Sequence, residues 1–360
     1  MSVQLYGMFE GFTSIPNVSR AIATELKRKH VKFTIYAHGS IIPKYDNAPW
    51  PVALNSSAHV GIFIGYPTSA ENWLKSHTVK VLITVCETNQ IPSEWVKVCN
   101  DVDYVVVPSR FCRQVFMDSG VRKPVIIAPH GVEDFGVRYE PVSEYVNFLH
   151  VTGAISFPHR KGTPALLVAW KKIAEEWPKA HLYLKMWRDP RMVAYIEKLG
   201  LERVRIDDTQ SLPPIGMANY LNLFDAVIQP SRGEGFGMVP LEARVIGVPT
   251  IITSIAGHSE HYAPGVDTEV PVGPYKPLIT QGNENGFAPS VEAHHIEVAV
   301  RNFMNDRARI CESTRVWAER FRDLWSWKNT LKPLMKIVLP LAKKKAKTIK
   351  LGDSIGIRGA

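Results

Sequence analysis

The sequence predicts an α/β protein made of two doubly wound, Rossmann-like domains that face each other across a cleft, with a helical C-terminal segment. Three observations predict it. A chain of 360 residues exceeds one ordinary hydrophobic core and suits two domains. Short apolar runs alternate with amphipathic stretches, as parallel strands and their crossover helices do. The alternation lapses once, in "GVRYEPVSEYV" between Gly136 and Val146, and then restarts. The expected division is a first domain over 1–140, a second over 146–325, and a closing helix over 326–350 that returns to the first domain.

In the first domain "SVQLYG" reads as a strand, "NVSRAIATELKRKH" as a helix and "VKFTIYA" as the next strand. "HVGIFIG", "KVLITVC", "DYVVVPS" and "KPVIIAP" follow as runs of strand length. Most are apolar on both faces, which suits parallel strands buried between helix layers. In the second domain "NFLHVTG" is a strand, "TPALLVAWKKIAEEW" a helix, "AHLYLKMW" a strand and "PRMVAYIEKLG" a helix. "RVRI", "GMANYLNL", "DAVIQPS", "PLEARVIG" and "PTIITS" complete it, and from Ser290 onward the chain reads as helical. Ligands of such sheets bind beyond the carboxyl ends of the strands, so the cleft is the expected site.

Composition limits the function. Hydrophobic residues at 45% and charged residues at 21% are those of a globular chain. The net charge of +9 fits a polyanionic partner or an anionic substrate without requiring one. Cys86, Cys99, Cys112 and Cys311 show no CxxC spacing, so neither a zinc site nor a disulfide framework is expected, and a reducing compartment is. "MSVQLYGMFEGF" lacks the marks of a signal peptide, and no apolar run approaches the roughly 20 residues of a membrane span. The expectation is a cytoplasmic protein, soluble or peripheral to a membrane. The run Lys343, Lys344, Lys345, Lys347 and Lys350 reads as a solvated helix end, a polyanion contact being the sharper alternative.

The segment "PSRGEGFGMVPLEARVIGVP", residues 230 to 249, carries the strongest chemistry. It reads as a strand-to-helix loop, with Pro240 in the first helical turn, where proline is tolerated. Gly233, Gly235 and Gly237 would let backbone approach a ligand closely, and a helix N-terminus favours a phosphate. A glutamate in such a loop makes sense if Glu234 hydrogen-bonds sugar hydroxyls attached to that phosphate, with Glu242 reaching ribose hydroxyls. Eight residues at helical rise span about 12 Å, too far for a hydrolytic carboxylate pair at roughly 5 to 9.5 Å.

This segment resembles the E-x7-E motif of retaining nucleotide-sugar glycosyltransferases with the GT-B fold, family 4. "DYVVVPSRFCRQVFMDSGVRKPVIIAPHGVE" is similar to that family's run into the hinge, "FLHVTGAISFPHRKGTPALLVAW" to its RKG segment, and "RDLWSWKNTLKPLM" to its closing helix. The resemblance implies donor-sugar contact by Glu234, ribose binding by Glu242, and phosphate binding by the amides of Phe236, Gly237, Met238 and Val239. It implies diphosphate neutralisation by Lys161, with Arg160 beside it, and a donor-facing glycine loop at Gly11. It further implies transfer with retention, no dedicated metal and no cofactor, the substrate being a nucleoside diphosphate sugar, UDP or GDP sugar first. Two departures stand out: Ala154 occupies a place where many members carry arginine, and Glu87 one where many carry histidine. Glu87 is retained as a catalytic candidate facing the reaction centre. His130 matches the hinge and is read as structural, and the D-x-D of Asp101 and Asp103 as an ordinary strand start.

The acceptor stays open. Lys27, Arg28, Lys29 and Lys32 form a basic cluster on the first, acceptor-side domain. Hydroxymethylated DNA, an anionic lipid surface or an acidic glycan would each fit that charge, although no nucleic-acid recognition motif is present. A non-catalytic nucleotide-sugar or nucleic-acid binding protein on the same scaffold is the alternative of another class.

Overall fold

The computed structural model describes residues 3–37, 50–52, 58–140, 144–153, 159–187, 190–208, 212–280 and 285–343. Ala154 and the lysines beyond Lys343 lie outside them. The first domain carries strands β1 (Val3–Gly7), β2 (Phe33–Ala37), β3 (Val60–Ile64), β4 (Val79–Ile83), β5 (Tyr104–Val107) and β6 (Val125–Ile127). They form one six-stranded sheet in the order β2-β1-β3-β4-β5-β6, every pair parallel. Its helices are α1 (Ser14–Arg28), α2 (Pro67–Leu74), α3 (Ser93–Asn100) and α4 (Arg110–Asp118). β1 and β3 are buried at every residue, the continuous apolar pattern expected of strands covered on both faces.

The second domain has β7 (Val146–Gly153), β8 (Ala180–Met186), β9 (Val204–Asp207), β10 (Ala226–Gln229), β11 (Thr250–Ile252) and β12 (Thr268–Glu269). Their parallel order is β12-β11-β10-β7-β8-β9, with helices α5 (Thr163–Glu176), α6 (Pro190–Lys198), α7 (Pro214–Leu221) and α8 (Met238–Ile246). The chain reverses direction across the sheet between β7 and β10. The loops after those two strands therefore open into the same crevice, which is where ligands of doubly wound sheets sit.

An antiparallel hairpin, β13 (Tyr275–Ile279) and β14 (Asn285–Pro289), precedes the terminal helices α9 (Ala293–Asn305), α10 (Arg307–Leu324), α11 (Trp327–Thr330) and α12 (Lys332–Lys343). The sequence reading missed this hairpin, because "PVGPYKPLIT" has the prolines of a loop and its partner "NGFAP" is short. Leu334, Met335 and Val338 of α12 are buried in one cluster with Val3, Leu5, Ile22 and Ile62 of the first domain. Trp170, Phe148 and Phe303 anchor the core of the second, with Trp170 and Phe303 each packed edge-on to Phe148. The chain thus leaves the first domain once, through the segment at Val132, and its last helix rejoins it.

Candidate functional site

A cleft of about 290 Å³ lies between the two sheets. Its first-domain wall includes Phe12, Thr13, Ser14 and Asn17 from the β1–α1 loop and the start of α1, together with Glu87 after β4. Its second-domain wall includes Val151 and Thr152 at the end of β7, Gln229 at the end of β10, and the run from Glu234 to Pro240. The crevice at the reversal point of the second sheet is therefore roofed by the other domain.

At its centre four charged side chains meet. Lys161 Nζ lies 2.5 Å from Glu234 Oε1, and Arg160 Nη1 lies 3.0 Å from Glu234 Oε2. Arg160 Nη2 lies 3.2 Å from Glu87 Oε1 across the domain boundary. Ser231 adds a hydrogen bond of 2.9 Å to Glu234. All four charged groups are largely withdrawn from water. Burial would raise the Glu234 carboxyl, but Lys161 and Arg160 outweigh it and hold it well below the usual carboxylate range. Glu87 goes the other way: burial raises it, and Arg160 offsets only part of that rise. The two cations are thus each paired with a carboxylate inside the cluster.

The loop that presents Glu234 is shaped by the other domain. A Cβ on Gly233 would lie 2.1 Å from the Glu87 carbonyl oxygen, and one on Gly235 would lie 2.8 Å from Val85 Cβ. Gly233 admits the backbone of the first domain and Gly235 its Val85 side chain, while Gly237, at φ +86°, turns the chain into α8 against the His258 ring; Gly235 and Gly237 also line the cleft. Ser109, the N-cap of α4, donates to the Gly235 carbonyl at 2.8 Å. Asn89 Oδ1 accepts from the Phe287 N–H at 2.8 Å, and Arg232 donates to hairpin carbonyls including Pro289 O at 3.1 Å. Ser109 and Asn89 were not singled out from the sequence. A serine ahead of the helical run "RFCRQVF" signals a cap, but nothing local announces a bond to the other domain.

The remaining expected residues fall as follows. Phe236, Gly237, Met238 and Val239 line the cleft where α8 begins, and the first N–H groups of a helix lack intrahelical partners. Glu242 keeps part of its surface open to the cleft but is otherwise ringed by protein, and burial pushes its carboxyl up to about 7. Gly11, at φ +82°, lies in the loop that Arg20 fastens by donating to the carbonyls of Phe9 and Gly11, each at 2.7 Å. His130 stands on the cleft wall, buried, its ring 5.2 Å from that of Phe236. Lys27, Arg28, Lys29 and Lys32 are exposed, at or just beyond the far end of α1. α1 begins at the cleft, and 15 residues of helix carry that end about 22 Å away. Arg28 is engaged by Glu25 at 2.6 Å. Asp103 accepts from the Lys80 N–H at 2.8 Å, tying β5 to β4, and no cluster of metal-ligating side chains occurs among the described residues.

Residues 147–293 match the family model described as Glycosyl transferases group 1. The D-inositol 3-phosphate glycosyltransferase of Corynebacterium urealyticum is 25% identical over 186 residues, covering 49% of this chain and 39% of that protein. That of Saccharomonospora viridis is 32% identical over 136 residues, covering 37% and 27%. The matches thus span well under half the length of these curated relatives. Among solved structures, sucrose-phosphate synthase from Thermosynechococcus elongatus aligns with a TM-score of 0.72 at 14% identity, over 95% of this chain and 99% of that one. Anabaena HepE in complex with UDP-glucose aligns at 0.69 and 13%, over 94% and 100%. With its two parallel six-stranded sheets, the chain has the GT-B fold.

Proposed function

We propose that this protein is a retaining glycosyltransferase that moves a sugar from a nucleoside diphosphate sugar to an acceptor hydroxyl. The observation that carries the proposal is the cluster of Arg160, Lys161, Glu234 and Glu87 at the mouth of α8, with Glu242 on the same cleft wall. The match of residues 147–293 to Glycosyl transferases group 1 supports the reaction class. The UDP-glucose bound by HepE makes UDP sugars the first donors to test, with GDP sugars next.

In this reading the donor diphosphate displaces the carboxylates from Arg160 and Lys161 and caps the N-terminus of α8. Glu234, released from its ion pairs, accepts from hydroxyls of the donor sugar, and Glu242 accepts from the ribose. Glu87 faces the sugar from the first domain. Charge on the departing diphosphate is stabilised by two side-chain cations, the α8 amides and the helix dipole. The reading invokes no dedicated metal, so turnover should persist in a chelator. The interlocked domains exclude water and set the acceptor hydroxyl against the anomeric carbon.

The test is the melting-temperature shift with UDP, GDP, ADP and their sugar derivatives, on the wild type and Glu242→Ala, followed by turnover assays. At 100 times its dissociation constant a ligand stabilises by about 2.7 kcal/mol. A shift with one nucleotide that Glu242→Ala abolishes supports the donor site. Binding without turnover for any acceptor, including hydroxymethylated DNA, acidic glycans and anionic vesicles, would favour a binding protein on this scaffold. Absence of any shift would sink the proposal.

A further inference from the structure

We infer that His130 is a further residue of the donor site, and that it acts as a neutral hydrogen-bond donor to the leaving diphosphate. The inference rests on the donor reading above.

His130 is held rigidly. The next residue, Gly131, packs so closely that a Cβ there would lie 2.7 Å from the Trp327 backbone. Val132 then donates to the Trp325 carbonyl at 2.8 Å. The imidazole sits between two aromatic rings, 5.2 Å from Phe236 and 6.3 Å from Trp327. It borders the cleft beside Phe236, Gly237 and Met238, the residues that open α8. A packing residue there would need no nitrogen.

Its tautomer follows from what surrounds it. Nδ1 is buried and has no hydrogen-bond partner among the described residues. A buried orphan N–H is rarer than a buried orphan acceptor, so the proton is assigned to Nε2. With Nδ1 the buried nitrogen of a residue that lines the cleft, we assign Nε2–H to the edge available to a ligand. Charged groups on the neighbouring elements are Glu234, Glu242 and Arg244 on the α8 side, Lys328 on α11 and Glu133 in the same segment. None of them offsets burial, which lowers the imidazole to about 4 and keeps it neutral at physiological pH. A neutral imidazole donates without carrying charge.

The cleft also calls for such a donor. Arg160 and Lys161 are already engaged by Glu87 and Glu234, so a bound diphosphate competes with carboxylates for both cations. A rigid N–H at the α8 mouth helps to accommodate it.

The test compares wild type with His130→Phe, which keeps the ring packing, and His130→Asn, which keeps an N–H donor. The probes are UDP and GDP, uridine and guanosine, and the sugar derivative of whichever nucleotide binds. The expected result is about 10-fold weaker diphosphate binding in His130→Phe, worth about 1.4 kcal/mol. Nucleoside affinity should be unchanged, and His130→Asn should recover part of the loss. The wild-type-to-variant affinity ratio for the nucleotide sugar should stay constant from about pH 6 to 8, as a neutral donor requires. Equal diphosphate binding in wild type and His130→Phe would overturn the inference and leave the donor reading intact. A ratio that collapses as pH rises would overturn it in favour of an imidazolium. Failure of the wild type to bind any nucleoside diphosphate would remove the donor reading itself. If His130→Phe does not fold, the diphosphate-versus-nucleoside comparison in His130→Asn decides: an equal loss for both probes means packing alone.

Discussion

Arg160 is the residue on which the site's electrostatics turn, because its guanidinium serves two carboxylates from two domains. Removing one partner of a buried ion pair typically costs about 3–5 kcal/mol, because the other charge is left uncompensated. Arg160→Met should therefore destabilise by roughly that amount, read by denaturant unfolding, and adding Glu87→Gln should restore part of the loss. An Arg160→Met protein as stable as wild type would mean that solvent reaches the cluster freely. Glu242 supplies a second prediction. Its folded carboxyl, at about 7, stands above the unfolded value, so the folded state binds the extra proton. Glu242's own contribution should turn against the folded ligand-free protein by on the order of 2 kcal/mol as pH rises from about 4.5 to 7, opposite in sign to that of the buried histidines such as His130 and His258. It is read as the difference between the two proteins: Glu242→Gln should gain stability relative to wild type across that interval in melting curves. Because ribose hydroxyls donate to the carboxylate form, nucleotide-sugar affinity should rise through the same interval in wild type and stay flat in the variant. An affinity that falls with pH would exclude the ribose role.

Loops and helices were unequally legible in the sequence. The strands from β1 to β11 could be read because most are short, largely apolar runs set between helical stretches, and α8 because Pro240 marks its first turn. β12, with two residues, and the β13–β14 hairpin carry no such run. In the candidate site Glu87, Arg160, Lys161, Glu234 and Glu242 were found through motif spacing and resemblance. Ser109, Asn89 and the place of His130 on the cleft wall were not, since each depends on a contact made at long sequence distance. The glycine loop shows the difference most sharply. Its composition signals close approach, but which body approaches is a tertiary fact. That distinction can be measured by comparing two alanine variants. A Cβ on Gly11 meets nothing within 4 Å, so Gly11→Ala should cost only its positive-φ strain, about 1 kcal/mol. A Cβ on Gly233 collides with the Glu87 carbonyl, so Gly233→Ala must push the domains apart. Its melting temperature should fall further than that of Gly11→Ala, and donor binding should be lost. Equal, mild effects would mean the two loops are not in contact in solution.

At the scale of the whole molecule, the two domains are clasped around the cleft. Ser109 reaches Gly235 at 2.8 Å, the Arg110 N–H reaches Glu260 at 2.8 Å, and Asn89 pairs with Phe287 at 2.8 Å. α12 and the segment at Val132 join the domains as well, so breaking these bonds should open the cleft without separating the halves. A donor must enter between Glu87 and Glu234, so the clasp has to release for binding and re-form for transfer. Each hydrogen bond is worth about 1 kcal/mol net, so Ser109→Ala combined with Asn89→Ala should shift the open-to-closed ratio by roughly 30-fold. Small-angle scattering should then show a larger radius of gyration for the ligand-free double variant than for wild type, and saturating donor should shrink it back. Donor association should quicken as the cleft opens, while turnover falls because the reacting groups are aligned for less of the time. A double variant with wild-type dimensions and wild-type turnover would assign closure to the contacts it leaves intact, the Arg110–Glu260 bond and the Glu87–Arg160 ion pair.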